Sequence, residues 1–350
     1  AKLVNDKKCD AIILFNESNM HYICSFSPSE GVIIVTKEAS AYHIVDSRYT
    51  EIAQINAQKT GVKVIEIKTS FSDTAKEIIE KENIKKLLYE NETISLLQYK
   101  TYTQKLSGCE FVELNHELML LRNKKEPFEI ELMKEANNIA EKSFLELLNE
   151  VKAGKTEKEL ASLFDYIMAK NGSEKVSFDT ILLTGTHTSM PHGTPSDRKV
   201  QAGDFVLFDF GATYKGYHSD MTRTIAIDHA TDEMEEAYEL VLKAQLEGIK
   251  ALSAGQKCAD VYQKAYDILD KKDMAKYFRH SLGHGVGLDI HEGYNASPRS
   301  KDTYEIGNVT SIEPGIYIPN KFGIRIEDLL YISPRGRENL SKITKKLIIL

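Results

Sequence analysis

The sequence has few of the features that mark membrane, secreted or nucleic-acid-binding proteins. No apolar run approaches the roughly 20 residues of a membrane span, and the N-terminus lacks the pattern of a signal peptide. The four cysteines are scattered without a C-x-x-C pair, which favours buried free thiols over the alternative of two disulfides. A net charge of −7 argues against a nucleic-acid surface, whose usual mark is a basic patch. We therefore expect a cytoplasmic protein that binds neither nucleic acid nor membrane.

The pattern of apolar residues changes near residue 122 and predicts two domains. Before that point, short apolar runs alternate with amphipathic stretches, as in an α/β domain. A polar, charged stretch follows at residues 122–125, so we place the domains at residues 1–122 and 123–350. In the first domain we predict strands at 10–15, 31–36, 41–45, 62–67 and 86–89, and helices at 47–58, 72–81 and 93–107.

Two segments of the second domain resemble each other and predict an internal duplication. Each has a long helix, at about 127–151 and 232–252, followed by a short turn and a second helix. The turns are Ala153-Gly154-Lys155 and Ala254-Gly255-Gln256. Each half then continues into strands with a hairpin. Two unrelated helix pairs remain an alternative, but a duplication would favour a site between two similar halves.

The segment 204–228 reads as a strand, a turn and a strand that bring two carboxylates together. If the turn centres on Tyr214 and Lys215, Asp209 and Asp220 lie directly opposite each other. Like charges in this arrangement repel, and the apolar run around Asp209 indicates burial, which is very costly for unpaired charge. Because no lysine or arginine lies nearby on the same strand face, a bound cation is the simplest compensation.

The segment 309–332 repeats this arrangement near the end of the chain. It reads as a hairpin in which Glu313 and Glu327 face each other, although Pro314-Gly315 is expected to introduce a bulge. Two hairpins that each present two carboxylates suit a pair of hard divalent cations. Structural carboxylates paired with other charges are the alternative.

Four histidines in glycine-rich or turn-like surroundings add nitrogen ligands to these oxygens. Imidazole among carboxylates suits Mn²⁺, Co²⁺, Zn²⁺ or Fe²⁺ better than Ca²⁺, and the neighbouring glycines allow close backbone approach. A lone histidine is more often structural, and we expect that role for the others, apart from His218, which we leave unassigned. The four candidates are His192, His280, His284 and His291.

Together these residues resemble the pita-bread metallopeptidases, and most of all their Xaa-Pro branch, aminopeptidase P and prolidase (Xaa-Pro dipeptidase). The resemblance covers almost the whole chain. It implies an α/β (α+β) fold, with an N-terminal α/β domain of the creatinase/prolidase type before a pseudo-two-fold pita-bread catalytic domain. Its motifs are Pro191-His192-Gly193, Asp209 with Ser219-Asp220-Met221-Thr222-Arg223, Gly283-His284-Gly285-Val286-Gly287 with His291-Glu292, Glu313-Pro314-Gly315-Ile316-Tyr317 and Arg325-Ile326-Glu327-Asp328.

The resemblance also implies a site with two divalent metal ions, most readily Mn²⁺, with Co²⁺ or Zn²⁺ as alternatives. Asp220 and Glu327 would bridge the two ions. The family often has asparagine where this chain has His187, which affects substrate contacts rather than the metal site. The implied metal ligands are Asp209, Asp220, His284, Glu313 and Glu327, the catalytic residues are His192, His291 and Glu313, and the substrate-binding residues are His192, His280, His291 and Arg325.

The activity implied by the resemblance is hydrolysis of the Xaa-Pro bond at the N-terminus of proline-containing peptides, by a homodimer. Asp46-Ser47-Arg48-Tyr49 resembles a segment of that branch and favours aminopeptidase P. A prolidase that acts only on dipeptides is the main alternative. A methionine aminopeptidase is less favoured because the N-terminal domain is large, and a non-catalytic binding module because all five implied ligands are present.

Overall fold

The computed structural model describes residues 1–350, which separate into two compact units, Ala1–Leu121 and Arg122–Leu350. The first unit is an α/β domain around one mixed six-stranded sheet. Its strands are β1 (Ala11–Leu14), β2 (Gly31–Thr36), β3 (Ala41–Val45), β4 (Lys63–Glu66), β5 (Lys86–Tyr89) and β6 (Glu110–Glu113), in the order β4-β3-β2-β1-β5-β6. Its helices are α1 (Lys2–Asp6), α2 (Glu17–Cys24), α3 (Thr50–Thr60), α4 (Phe71–Lys81) and α5 (Leu96–Lys105), and α6 (Glu117–Asn123) crosses the boundary between the units.

All five predicted strands and three predicted helices of the first unit are present, with ends that differ by up to three residues. The central strand β1 is buried along its whole length, which explains its unbroken apolar sequence. Four elements, α1, α2, α6 and β6, were not predicted. Helix α2 begins after Asn16, whose side chain accepts a hydrogen bond from the Asn19 amide at 2.9 Å, so an N-cap signal was present in the sequence.

The second unit contains four long helices and twelve strands. No helix in either unit is long and apolar enough to cross a membrane. The four cysteines are free and three of them are buried, as predicted. The helices are α7 (Pro127–Leu147), α8 (Glu157–Lys170), α9 (Asp232–Ala251) and α10 (Cys258–Asp270), and the strands are β7 (Ile181–Thr184), β8 (Phe205–Phe210), β9 (Thr213–Tyr214), β10 (Tyr217–His218), β11 (Met221–Ala226), β12 (Gly283–Gly285), β13 (Glu292–Ala296), β14 (Val309–Ile312), β15 (Gly315–Ile318), β16 (Phe322–Arg325), β17 (Asp328–Ser333) and β18 (Gly336–Asn339).

The two halves of the second unit repeat the same backbone contacts. In the first half, the turn before α8 is held by a hydrogen bond from the Gly154 amide to the Val200 carbonyl at 2.9 Å. In the second half, the turn before α10 is held by the matching bond from Gly255 to Tyr304 at 2.8 Å. Because the two turns were aligned by sequence, these bonds support the predicted duplication.

Each half packs its helix pair against its own sheet. In the first half, Phe144 of α7 contacts the rings of Phe208 and Phe210 on β8, with centroid distances of 5.3 Å in both cases. Successive side chains on a strand point to opposite faces, so Asp209, between these two phenylalanines, points away from the helices. The helices thus fix the orientation of a strand that presents a carboxylate on its other face.

The register predicted for the first hairpin is wrong by two residues. Asp209 pairs with Thr222 across β8 and β11, not with Asp220. The turn is formed by Lys215 and Gly216, with φ values of 48° and 81°, because a two-residue hairpin turn of this kind needs positive φ at both positions and favours glycine at the second. Asp220 therefore lies immediately before the first residue of β11 and is displaced along the strand direction from Asp209.

The register predicted for the second hairpin is correct. Gly315 pairs with Arg325 in the β15–β16 ladder, and Ile312 pairs with Asp328 in the β14–β17 ladder. Both pairings continue the predicted alignment, while Glu313 and Glu327 lie in the interruption between the two ladders. The side chains at this interruption are free to point into the interior of the unit.

Candidate active site

A cavity of about 420 Å³ in the second unit is lined by all nine candidate residues. This volume lies within the range of small-molecule sites. Phe178, Ile181, Pro191 and Ile290 form an apolar part of its wall, and the exposed Asp179 and Asn295 also line it. The candidate residues brought together are His192, Asp209, Asp220, His280, His284, His291, Glu313, Arg325 and Glu327.

The carboxylates come from strand ends and interruptions of both halves. Asp209 is on β8 and Asp220 immediately precedes β11, whereas Glu313 follows β14 and Glu327 lies between β16 and β17. Where the pairing between two strands is interrupted, the backbone groups have no hydrogen-bond partner on the neighbouring strand. The Glu327 amide instead donates to the Thr222 carbonyl at 3.1 Å, which joins the two hairpins.

Asp220, His284 and Glu327 form the tightest group of possible metal ligands. One ligand atom from each lies within 4.8 Å of the other two. His284 Nε2 is 3.4 Å from Asp220 Oδ2 and 3.5 Å from Glu313 Oε1. Four oxygen- or nitrogen-bearing groups therefore converge on one small volume.

The orientation of His284 leaves one ring nitrogen available as a ligand. Its Nδ1 lies 3.1 Å from the Gly285 carbonyl oxygen, and a carbonyl only accepts hydrogen bonds, so Nδ1 is the donor. Burial lowers the pKa of His284, which favours the neutral ring. A neutral imidazole that donates from Nδ1 presents its Nε2 lone pair, and here Nε2 points at the carboxylates.

Burial and mutual repulsion disfavour charge on the clustered carboxyl groups. The pKa of Asp220 is raised well above its usual value by burial, then by Asp209 and Glu313. Burial also raises the pKa of Glu327, with Asp220 as the next cause, and burial raises that of Glu313. Such a cluster is unfavourable as an isolated set of anions, and the charge that would offset it is the one that divalent cations carry.

Arg325, which the resemblance assigned to substrate binding, is a cation that lies in the site and pairs with a carboxylate. Arg325 on β16 donates from Nη2 to Asp209 on β8 and from Nη1 to the Tyr317 hydroxyl at 2.7 Å. The sequence analysis considered basic residues only on the same strand face, whereas this partner of Asp209 comes from the other hairpin. Arg325 forms an ion pair with Asp209 alone. Its charge also acts to lower the pKa of Asp220, Glu313 and Glu327, but burial outweighs this effect and all three pKa values stay raised.

Glu327 gives a direct test of whether a metal fits this site. Its Oε2 accepts a hydrogen bond from the Thr222 hydroxyl at 2.7 Å, while its Oε1 is buried and has no hydrogen-bond partner. An unsatisfied buried carboxylate oxygen is rare. Carboxylate oxygens together with a bare imidazole nitrogen are ligands that Mn²⁺, Co²⁺ and Zn²⁺ accept, so the residues fit a divalent metal site.

The remaining histidines surround this group. His280 Nε2 lies 3.0 Å from the Tyr317 hydroxyl, and burial lowers the pKa of His280 to about 3. The exposed ring of His291 lies 4.2 Å from the ring of His284, centroid to centroid. His192 is exposed in the loop after β7. One histidine is thus half-buried beside the carboxylates, and two are accessible to a substrate.

Sequence reasoning missed three hydroxyl groups that orient the candidate ligands. Thr222 contacts Glu327, and Ser311 Oγ donates to Glu313 Oε1 at 3.1 Å. Tyr317 joins Arg325 to His280. Thr222 and Tyr317 were named only as parts of sequence motifs. Thr222 contacts Glu327, which lies 105 residues away, and Tyr317 contacts Arg325, which lies 8 residues away. The spacing along the chain did not reveal these contacts.

The chain has two domains, and the second consists of two similar halves that enclose the carboxylates and histidines. This is the architecture of a pita-bread metallopeptidase. Residues 131–334 match metallopeptidase family M24, and residues 1–124 match the creatinase/prolidase N-terminal domain. The chain belongs to this family and is a peptidase, as the sequence motifs predicted. Membership of the family implies divalent metal ions.

Relatives of known sequence or structure extend over the whole chain. The Xaa-Pro dipeptidase of Pyrococcus furiosus is 34% identical over 348 residues, which cover 99% of this chain and 97% of the relative. A solved Xaa-Pro dipeptidase from Bacillus anthracis has a TM-score of 0.94 at 35% identity, covering 100% of this chain and 97% of that one. A solved X-Pro aminopeptidase from Thermotoga maritima has a TM-score of 0.94 at 34% identity, covering 100% of both chains.

Proposed function

We propose that this peptidase hydrolyses the Xaa-Pro bond at the N-terminus of peptides with the help of two divalent metal ions. The observation that carries the proposal is the single cavity that all nine candidate residues line. The relatives named as Xaa-Pro dipeptidases and as an X-Pro aminopeptidase support the choice of bond. Mn²⁺ is the proposed metal, with Co²⁺ or Zn²⁺ as alternatives suited to the same ligands.

In this proposal the metal ligands are the five residues that the resemblance assigns. The buried free oxygen of Glu327 and the bare Nε2 of His284 support this assignment, and Arg325 would hold the Asp209 carboxyl group in place. Bound divalent ions would polarise the substrate carbonyl and lower the pKa of the attacking water. The five ligands are Asp209, Asp220, His284, Glu313 and Glu327.

Glu313 is the proposed carrier of the proton during hydrolysis. Water adds to the carbonyl carbon before proline and the C–N bond breaks, so one water proton must reach the proline nitrogen. That nitrogen carries no hydrogen in an Xaa-Pro bond, which makes protonation of the leaving group essential. Ser311 holds Oε1 of Glu313 at 3.1 Å and so fixes the carboxyl group that would take and return the proton.

The histidines and Arg325 are the proposed substrate contacts. His291 and His192 are exposed at the cavity, where a ring N–H can stabilise the negative charge that develops on the carbonyl oxygen. His280 is held by Tyr317 and by the Ser281 carbonyl, at 3.0 and 2.7 Å, so it would present a fixed ring in the cavity wall to the substrate. The apolar Phe178 and Ile290 offer a surface for the proline ring.

A prolidase restricted to dipeptides is the second candidate, because relatives with that name align over almost the full chain. To separate the two, the protein is stripped of metal, restored with Mn²⁺ and assayed on Ala-Pro and Ala-Pro-Ala. We expect the tripeptide to be the better substrate and cleavage to need Mn²⁺. Cleavage of Ala-Pro alone would instead identify a prolidase.

Two controls make this assay specific. Ala-Ala-Ala has the same length as the tripeptide but no Xaa-Pro bond, and the Asp220→Asn variant purified in parallel reports any contaminating peptidase. Failure to cleave either proline substrate, with or without metal, would reject the Xaa-Pro assignment. A peptide beginning with Met-Ala-Ser would then test the methionine aminopeptidase alternative.

We also propose that the enzyme is a cytoplasmic homodimer. Buried, unpaired cysteines such as Cys9, Cys24 and Cys258 suit a reducing compartment. Light scattering of the eluting protein measures the mass directly, and one chain has a mass of 39.5 kDa. A particle of a single chain's mass at micromolar concentration would contradict the dimer.

A further inference from the structure

Glu157 is a buried carboxyl group for which the proposed reaction has no use. It occupies the first position of α8 and its side chain is fully buried. The equivalent position in the other half of the unit, at the start of α10, is Cys258. Because the duplicated half builds the same helix start without a carboxylate, the helix itself does not require one.

The contacts of Glu157 all go to a single loop. Its Oε1 accepts from the Thr184 amide at 2.7 Å, and its Oε2 lies 2.8 Å from Nδ1 of His187. The Ser196 amide and hydroxyl donate to Oε2 at 2.9 and 2.7 Å. Thr184 is the last residue of β7, and Ser196 lies in the loop that runs from there to β8. One side chain therefore holds together the two ends of the segment 185–195, which contains His192.

This loop carries His192 and Pro191 to the cavity. Its middle is held by two further contacts: the Gly323 amide donates to the Thr188 hydroxyl at 2.7 Å, and Arg325 Nη1 donates to the Pro191 carbonyl at 3.3 Å. Beyond one short 3₁₀ turn, at Gly185–Ser189, the loop has no regular structure of its own. The position of His192 therefore depends on these side-chain contacts.

We infer that Glu157 is a positioning residue, which holds the His192 loop in the geometry that substrate binding requires. His187 is one of the donors that it fixes. An ionised carboxylate accepts hydrogen bonds at both oxygens and donates none, so it satisfies four donors at once. Glutamine in its place would turn an NH₂ group towards N–H or O–H donors and leave at least one of them unpaired.

This inference rests on the proposed function, and the kinetic test is a comparison of Glu157→Gln with wild type on Ala-Pro-Ala in the presence of Mn²⁺. We expect kcat/KM to fall by roughly 10- to 100-fold, as for other groups that orient a site residue, with part of the loss in KM. The matched control is Glu159→Gln. Glu159 lies two residues further on the same helix, and its carboxylate bonds only to Thr156, so KM should stay as in wild type.

A double-mutant cycle separates positioning from general damage. If Glu157 acts through His192, the effects of Glu157→Gln and His192→Gln on kcat/KM should be non-additive, and the double variant should resemble His192→Gln alone. The inference would be overturned if the fold-losses in kcat/KM of the two single variants multiplied in the double variant. It would also be overturned if Glu157→Gln lowered kcat and left KM unchanged, which is the result expected when a smaller fraction of the protein is folded. Ser196→Ala removes one of the four donors to Glu157, together with the hydrogen bond that the Ser196 hydroxyl accepts from the Arg198 amide, and should act in the same direction with a smaller loss.

Hydrogen exchange keeps this inference separable from the proposed function, because it needs no activity. In the Mn²⁺-loaded protein, amides of residues 186–195 should exchange faster in Glu157→Gln than in Glu159→Gln, while amides of β8 should be unchanged. Equal exchange of the loop in the two variants would overturn the inference even if the peptide assay succeeds. Faster loop exchange without any Xaa-Pro cleavage would reject the proposed function and keep Glu157 as the residue that holds this loop.

Discussion

Thr222 donates its hydroxyl to Oε2 of Glu327 at 2.7 Å and thereby links the two carboxylate hairpins. The same hydroxyl accepts from Arg325 Nε at 2.9 Å. One oxygen of Glu327 is thus fixed by the protein, and the other is left without a partner in a buried position. A carboxylate oriented in this way is ready to bind a cation without first breaking a hydrogen bond.

Thr222→Val should therefore weaken metal binding. Valine has the shape of threonine but cannot hold Glu327, and loss of such a supporting contact typically costs 10- to 100-fold in metal affinity. Titration of the metal-free protein with Mn²⁺ measures the change. Thr224→Val is the control, because Thr224 is equally buried on β11 but bonds only to the Arg325 backbone; a similar loss in both variants would contradict the assigned role.

Glu327→Gln and Asp220→Asn should each lose bound metal and most peptidase activity. Both residues are proposed as bridging ligands, and an amide replaces an anionic ligand by a neutral one that binds hard cations poorly. Metal content is measured by mass spectrometry after Mn²⁺ loading and gel filtration, with circular dichroism to check the fold. Two metals per chain and a near-normal rate in either variant would refute the bridging assignment.

Arg325→Met should destabilise the protein more when metal is absent than when it is bound. Removing one partner of a buried ion pair costs about 3–5 kcal/mol, since the other charge stays buried, and here that charge is Asp209. Bound cations would compensate Asp209 in place of Arg325. Urea unfolding with a chelator and with Mn²⁺ measures the difference between the two conditions.

Arg223→Met provides the comparison for this experiment. Arg223 is also buried and pairs with Asp328 at 2.9 Å. Asp328 is not a proposed ligand, and Arg223 contacts Glu327 only through its backbone carbonyl. Arg223→Met should lower the free energy of unfolding by the same amount with and without Mn²⁺. If Arg325→Met behaves in that way too, Asp209 is not a metal ligand.

Much of this site follows from the sequence, and the errors have identifiable physical causes. The register of the second hairpin was predicted correctly, since Glu313 and Glu327 lie at matching positions on either side of its loop. The first hairpin was placed two residues out of register because the turn was centred on Tyr214 and Lys215, one position too early. Glycine at position 216 was the signal for a turn at Lys215 and Gly216, whose φ values are both positive.

The contacts that sequence reasoning missed join residues that are distant along the chain. Arg325 reaches Asp209 across 116 residues, and Ser196 reaches Glu157 across 39. A strand pattern specifies which face a side chain occupies, but it does not specify which other strand or loop that face meets. Carboxylate positions could therefore be predicted, whereas the side chains that orient them became visible only with the tertiary structure.

His43 should make the first unit less stable as the pH falls below 6.5. Its ring is buried on β3, where Nδ1 lies 3.6 Å from Cys24 Sγ and Nε2 has no hydrogen-bond partner. Burial lowers the pKa of His43 from 6.5 to about 4. Because the unfolded chain takes up a proton at a higher pH than the folded chain does, stability is fully present above pH 6.5 and declines progressively towards pH 4.

The size of this effect is at most about 1.4 kcal/mol for each pH unit in that window. His43→Phe keeps an aromatic ring beside Phe26 and removes the titrating group, so the difference in stability between variant and wild type should shift in favour of the variant as the pH falls from 6.5 to 4. Hydrogen exchange of the β2 and β3 amides in the full chain measures it. His116→Gln is the control, since that side chain is 70% exposed; a pH-independent difference for His43→Phe would show that the buried ring titrates as it does in water.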